Sequence, residues 1–174
     1  MMSPIDHSSC TLQFWSEKID PNLLHRARRH SSIGEDSNER LEFLGNGVLN
    51  LCLADLLYNR FQYREGKLTR MCNYLRSDDV LNELGRELEL DAQIELGRSI
   101  KDGKSTNAMV AGAIEAIIGA LFSTCGYDLT RNMVEELLMT DRRLEQALSN
   151  HDPITELKEL VEGRGLSVGH LGYA

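Results

Sequence analysis

The chain has 174 residues, 41% of them hydrophobic, which suits one domain with a proper core and leaves no room for a second full domain. Its net charge is −8 and its isoelectric point about 5.1, so no general positive field attracts nucleic acid or an anionic membrane; a polyanion would need a local basic patch or bridging cations. The four cysteines, Cys10, Cys52, Cys72 and Cys125, show no paired spacing, which points to buried free thiols and a reducing compartment rather than to disulfides or zinc.

Residues 1–22 read as an N-terminal extension. They lack the basic start and apolar core of a secretory signal, and Asp6, Glu17 and Asp20 argue against a transit segment. The expected location is intracellular, cytoplasmic first and organellar second. Leu23 to His30 is the first predicted helix, with a basic cluster at Arg26, Arg28 and Arg29 that suits either weak RNA contact or a solvated helix end. IGEDSN is a turn whose last residues, Ser37 and Asn38, suit capping of the next helix. That helix is predicted from Glu39 to Arg60, apolar on more than one face as in a central helix.

Glu65 to Leu75 and Asp78 to Leu88 carry helical apolar spacing, and Leu90 to Gly103 holds short pieces and a loop. Ala108 to Phe122 is the longest apolar run, too short and too interrupted by Glu115 to span a bilayer, and it is expected to be a buried core helix starting near Thr106. Leu129 to Leu148 reads as one amphipathic helix. Nothing alternates with period two for long enough to build a sheet, so the expected fold class is all-α.

At 100° per residue, Glu39, Glu42 and Asn46 fall within about 60° of one another, so the helix projects a polar column that is either a site or a solvated face. Glu115 is the one charge in its apolar run. A buried unpaired carboxylate costs several kcal/mol. It therefore needs a proton, a basic partner such as Arg40 or Arg70, or a hard cation shared with Glu42. His30 suits a structural role better than a catalytic one. Asp55 lies half a turn away from Asn46 and is a poor substitute for a ligand there.

The segment NERLEFLGNGVLN, with H-x-S at His30–Ser32, E-G-x-L-T at Glu65–Thr69 and E-A-I-I-G-A at Glu115–Ala120, resembles the ribonuclease III family from about Leu23 to Leu138. The resemblance implies a dimer-forming all-α endonuclease domain over residues 23–148, double-stranded RNA as substrate, and four acids that hold Mg²⁺ and activate water. The first and last acids correspond to Glu42 and Glu115, both expected catalytic and metal-binding. The second falls on Asn46, whose amide oxygen can still ligate but carries no charge, and the third on Gly112, which supplies no ligand. Glu39 and Glu65 match supporting acids, and Phe43 matches an aromatic that enters the partner subunit.

Residues 149–174 resemble the start of a double-stranded RNA-binding domain, a stub without that domain's sheet. Three functions follow from the resemblance. One is a cleavage-impaired subunit that dimerises, with itself or with a competent partner, and binds or positions structured RNA. The others are an active Mg²⁺-dependent endoribonuclease with a depleted site, and a structural module of an RNA-processing or ribosomal assembly. None involves a membrane.

Overall fold

The computed structural model describes residues 12–100 and 102–149. In chain order the helices are α1 (Leu12–Ser16), α2 (Pro21–Ala27), α3 (Glu39–Arg60), α4 (Glu65–Leu75), α5 (Asp78–Glu87), α6 (Asn107–Cys125), α7 (Tyr127–Leu138) and α8 (Asp141–Ser149), with single 3₁₀ turns at Ser31–Ile33 and Asp91–Gln93. The described residues contain no strand, only an isolated parallel bridge between Arg29 and Glu95. The expected C-terminal stub lies, apart from Ser149, outside the described residues.

The centre of the molecule is the crossing of α3 and α6. Eleven of the nineteen residues of α6 are buried, among them Ala113, Ile114, Ala116, Ile117 and Ala120, and they pack against Leu49, Cys52, Leu53 and Leu56 of α3 within one continuous core. Glycines set the distance between the two backbones. An ideal Cβ on Gly45 would lie 1.7 Å from the carbonyl oxygen of Glu115, and one on Gly119 would lie 2.2 Å from the carbonyl oxygen of Leu41. Only residues without a side chain allow so close an approach. The crossing thereby brings Glu42 and Asn46, which flank Gly45, against the turn of α6 that carries Glu115.

Both ends of α2 and the capping of α3 differ from the sequence reading. α2, the first helix predicted from the sequence, starts two residues early because the Asp20 carboxylate accepts from Asn22 N and Leu23 N at 2.9 and 3.2 Å, with Pro21 preset for the first turn. It stops at Ala27 because the next residues join the Glu95 strand-like segment, Glu95 N donating to Arg28 O and His30 N to Glu95 O. Asn38 occupies the cap position of α3, yet its side chain makes no capping bond.

The expected single C-terminal helix is two helices. Arg143, only 4% exposed, turns its guanidinium back to donate to the carbonyl of Leu137 at 2.9 Å and pairs with Glu87, so it closes the C-terminal end of α7 and ties α8 to α5. Trp15 and Ile19, within the expected N-terminal extension, are buried in the core. Cys52 and Cys72 are buried free thiols, as read from their spacing, whereas Cys125 is free but exposed at the end of α6.

Candidate active-site cleft

The polar column of α3 opens onto a cleft of about 710 Å³ lined by Glu39, Glu42, Asn46 and Glu115 on its polar side and by Phe43, Leu44, Leu51 and Phe122 on its apolar side. On its polar side the exposed Asn46 donates from Nδ2 to Glu115 Oε1 at 2.6 Å. The structure supplies Glu115 with an amide partner, and the charge of Arg76 also acts on it. Gly112 stands below Glu42. A Cβ there would meet Glu42 Oε2 at 2.9 Å, so the Glu42 carboxylate occupies the space that a longer side chain at 112 would claim.

Both carboxyls titrate above their ordinary range. For Glu115 the main cause is burial, reinforced by the charges of Glu42 and Asp78 and opposed by the Asn46 hydrogen bond and Arg76. For Glu42 the main cause is again burial, reinforced by Glu39 and Asp78 and opposed by His30. Asp78, in the first turn of α5, was missed in the sequence because nothing local marks it; it reaches the cleft's field only through the α5–α6 packing, where a Cβ on Gly85 would lie 2.2 Å from Val110 Cγ1.

Glu39 and Phe43 line the same cleft as this pair, whereas the other expected residues lie outside its lining. Glu65 is the first residue of α4, accepts from Thr69 Oγ1 at 2.9 Å, and lines a separate groove of about 840 Å³ between α3 and α4. Asp55 is committed to Arg131 at 2.5 Å and lines that same groove. His30 is built into its own turn: Ser32 N donates to its Nδ1 at 3.2 Å, and Ser32 Oγ in turn accepts from Gly97 N at 2.8 Å. In the basic cluster, Arg26 donates to Ser37 O and faces Asp36, and Arg29 pairs with Asp36 and Glu95. Arg28 is half-buried, and burial lowers its pKa. Phe43 is 85% exposed.

A model of the ribonuclease-III-like family matches residues 20–142. The chain belongs to the ribonuclease III family. It is 37% identical over 156 residues to ribonuclease 3 of Albidiferax ferrireducens, an alignment covering 87% of this chain and 68% of that protein. It is 38% identical over 170 residues to ribonuclease 3 of Vibrio atlanticus, covering 94% and 74%. Two solved structures of the nuclease domain of Campylobacter jejuni ribonuclease III superpose with a TM-score of 0.64 each, at 29% and 26% identity, covering 70% and 87% of this chain and 90% and 100% of theirs. One of them is described by flexibility in a region involved in dimer formation.

Ribonuclease III enzymes generally use Mg²⁺. The residues of this cleft do not fit such a centre. Mg²⁺ demands near-octahedral oxygen ligands and gives up its water reluctantly, so it favours anionic donors. Here position 46 offers an amide whose NH₂ is turned to Glu115, position 112 offers no donor, and no three His, Cys, Asp or Glu among the described residues are grouped to hold a metal ion. What the cleft offers chemically is hydrogen-bond acceptors on two carboxyls whose pKa values burial raises.

Proposed function

We propose that this ribonuclease III-type domain dimerises and binds or positions double-stranded or structured RNA in RNA processing, with phosphodiester cleavage impaired at Asn46 and Gly112. The observation that carries the reading is the Asn46–Glu115 hydrogen bond. Activating water and stabilising an in-line displacement at phosphorus takes a charged, metal-holding cluster. In this cleft the same atoms are engaged with one another, and Glu42 fills the room above Gly112. Glu42 and Glu115 are the residues of the former cluster, and Glu39 and Glu65 its supporting acids.

Dimerisation is supported by one face of α3. Phe43, Leu51 and Tyr58 are 85%, 55% and 72% exposed and lie within about 80° of one another around the helix. Apolar side chains clustered in this way mark an interaction surface. The partner is a second copy or a competent ribonuclease III-type subunit. The free thiols at Cys52, Cys72 and Cys125 suit a reducing, intracellular location.

The other reading, an active Mg²⁺-dependent endonuclease, is favoured by the presence of Glu39, Glu42 and Glu115 in one cleft. A single experiment separates the two. The purified chain is mixed with a long RNA duplex in Mg²⁺ and in Mn²⁺, with band shift and cleavage followed together. Retardation without cleavage is the expected result; efficient cleavage that Glu115→Gln abolishes would establish the enzyme instead, and neither retardation nor cleavage would remove RNA from the proposal.

A further inference from the structure

At the α3–α6 crossing the backbones touch at Gly45, which sets the helix turn bearing Asn46 against the turn bearing Glu115. A carboxylate at position 46 would face Glu115 at hydrogen-bond distance. Two acceptors with no donor between them repel, and such a pair is held together only by a proton or a bridging cation. The chain has instead an amide there, which donates to Glu115 Oε1 at 2.6 Å. On the other side the missing side chain of Gly112 removes an acid and leaves its space to the Glu42 carboxylate. The two residues solve one electrostatic problem from two directions: one turns an acceptor into a donor, the other deletes an acceptor.

We propose that the Asn46 amide takes over the bridging role of a divalent cation between α3 and α6, so that this chain folds with its cleft complete and gains nothing from Mg²⁺ or Mn²⁺. The inference rests on the impaired-site reading of the cleft and not on RNA binding, so the two fail separately: loss of duplex binding leaves it standing, and metal binding overturns it whatever the RNA result. Asn46 is here a structural bridge between helices, with no contact to a reacting group implied.

The test uses the whole chain in EDTA, in millimolar Mg²⁺ and in millimolar Mn²⁺. The melting temperature of the unaltered protein should shift by no more than about 1 °C among the three, since an ion that does not bind the native state cannot stabilise it. Titration with Mn²⁺ followed by electron paramagnetic resonance should show the ion remaining free. Asn46→Asp should melt lower in EDTA and recover in Mn²⁺ or Mg²⁺, becoming metal-dependent by one substitution. Asn46→Ala should also melt lower but respond to neither metal, because it removes the bridge without adding a charge. Saturable Mn²⁺ binding by the unaltered chain that Glu115→Gln removes would overturn the proposal. So would an Asn46→Asp protein as stable in EDTA as the unaltered one, since the amide would then bridge nothing. Should Asn46→Asp fail to fold in every buffer, the Mn²⁺ titration of the unaltered chain decides alone.

Discussion

The carbonyl oxygen of Glu115 lies where a side chain on Gly45 would begin, 1.7 Å from an ideal Cβ. Backbone against backbone leaves no flexible atom to yield. Gly45→Ala and Gly119→Ala should therefore each destabilise the domain by about 3 kcal/mol, at the upper end of overpacking costs, read from urea unfolding. Gly47 is two residues along the same helix with nothing within 4 Å of its Cβ position. Gly47→Ala should stabilise the monomer by about 0.5–1 kcal/mol through helix propensity. Equal effects at positions 45 and 47 would contradict the crossing geometry.

Repair of the cleft should need both positions. Asn46→Asp alone leaves Gly112 without a donor, and Gly112→Asp alone first has to push the Glu42 carboxylate aside and still faces the amide. Together they rebuild a four-acid cluster with Glu42 and Glu115. Ligands that act as a unit respond non-additively. The double variant, assayed on duplex RNA in Mg²⁺, should gain cleavage far beyond the product of the single effects; a folded double variant with no gain would mean that more than these two ligands has been lost.

The raised carboxyls set a pH dependence whose sign can be worked out. A Glu whose folded pKa lies above its unfolded value holds more protons when folded, so its contribution is present below the usual glutamate value of 4.5 and is lost as pH rises through the window from there to the raised value. Glu42 and Glu115 thus oppose the ordinary gain of stability with pH in that mildly acidic window. Glu115→Gln keeps an oxygen that can accept from Asn46 but no longer titrates. Its stability near neutral pH should be equal to or slightly above that of the unaltered chain, with a steeper gain of stability as pH rises above 4.5 in urea titrations, because one group that opposes the gain has gone. A large loss at neutral pH would show that the charge of Glu115 is needed.

Phe43 should anchor the dimer. A side chain 85% exposed contributes almost nothing to the fold of the isolated chain, so Phe43→Ala should leave the melting temperature of the monomer unchanged while shifting sedimentation from dimer toward monomer. An unaltered chain that sediments as a monomer at tens of micromolar, alone and with a competent ribonuclease III subunit, would remove the dimer from the proposal.

The helical character of the chain was legible in its sequence because helix periodicity is a local property: α3 and α4 have the ends that the apolar spacing predicts, from Glu39 to Arg60 and from Glu65 to Leu75. The motif around positions 46 and 112 is local as well, and the expectation that Asn46 and Gly112 stand where the family has acids rests on it alone. Other features depended on groups distant in the chain. The break between α7 and α8 is made by the buried Arg143, whose partners Leu137 and Glu87 the amphipathic pattern does not reveal. Arg26 and Arg29 read as a basic cluster, and only the folded chain sets Asp36 and Glu95 against them. Asp78 entered the cleft's electrostatics through helix packing. Residue 46 was visible as an asparagine; that its NH₂ meets Glu115, 69 residues along the chain, was decided by two glycines that bring α3 and α6 into backbone contact.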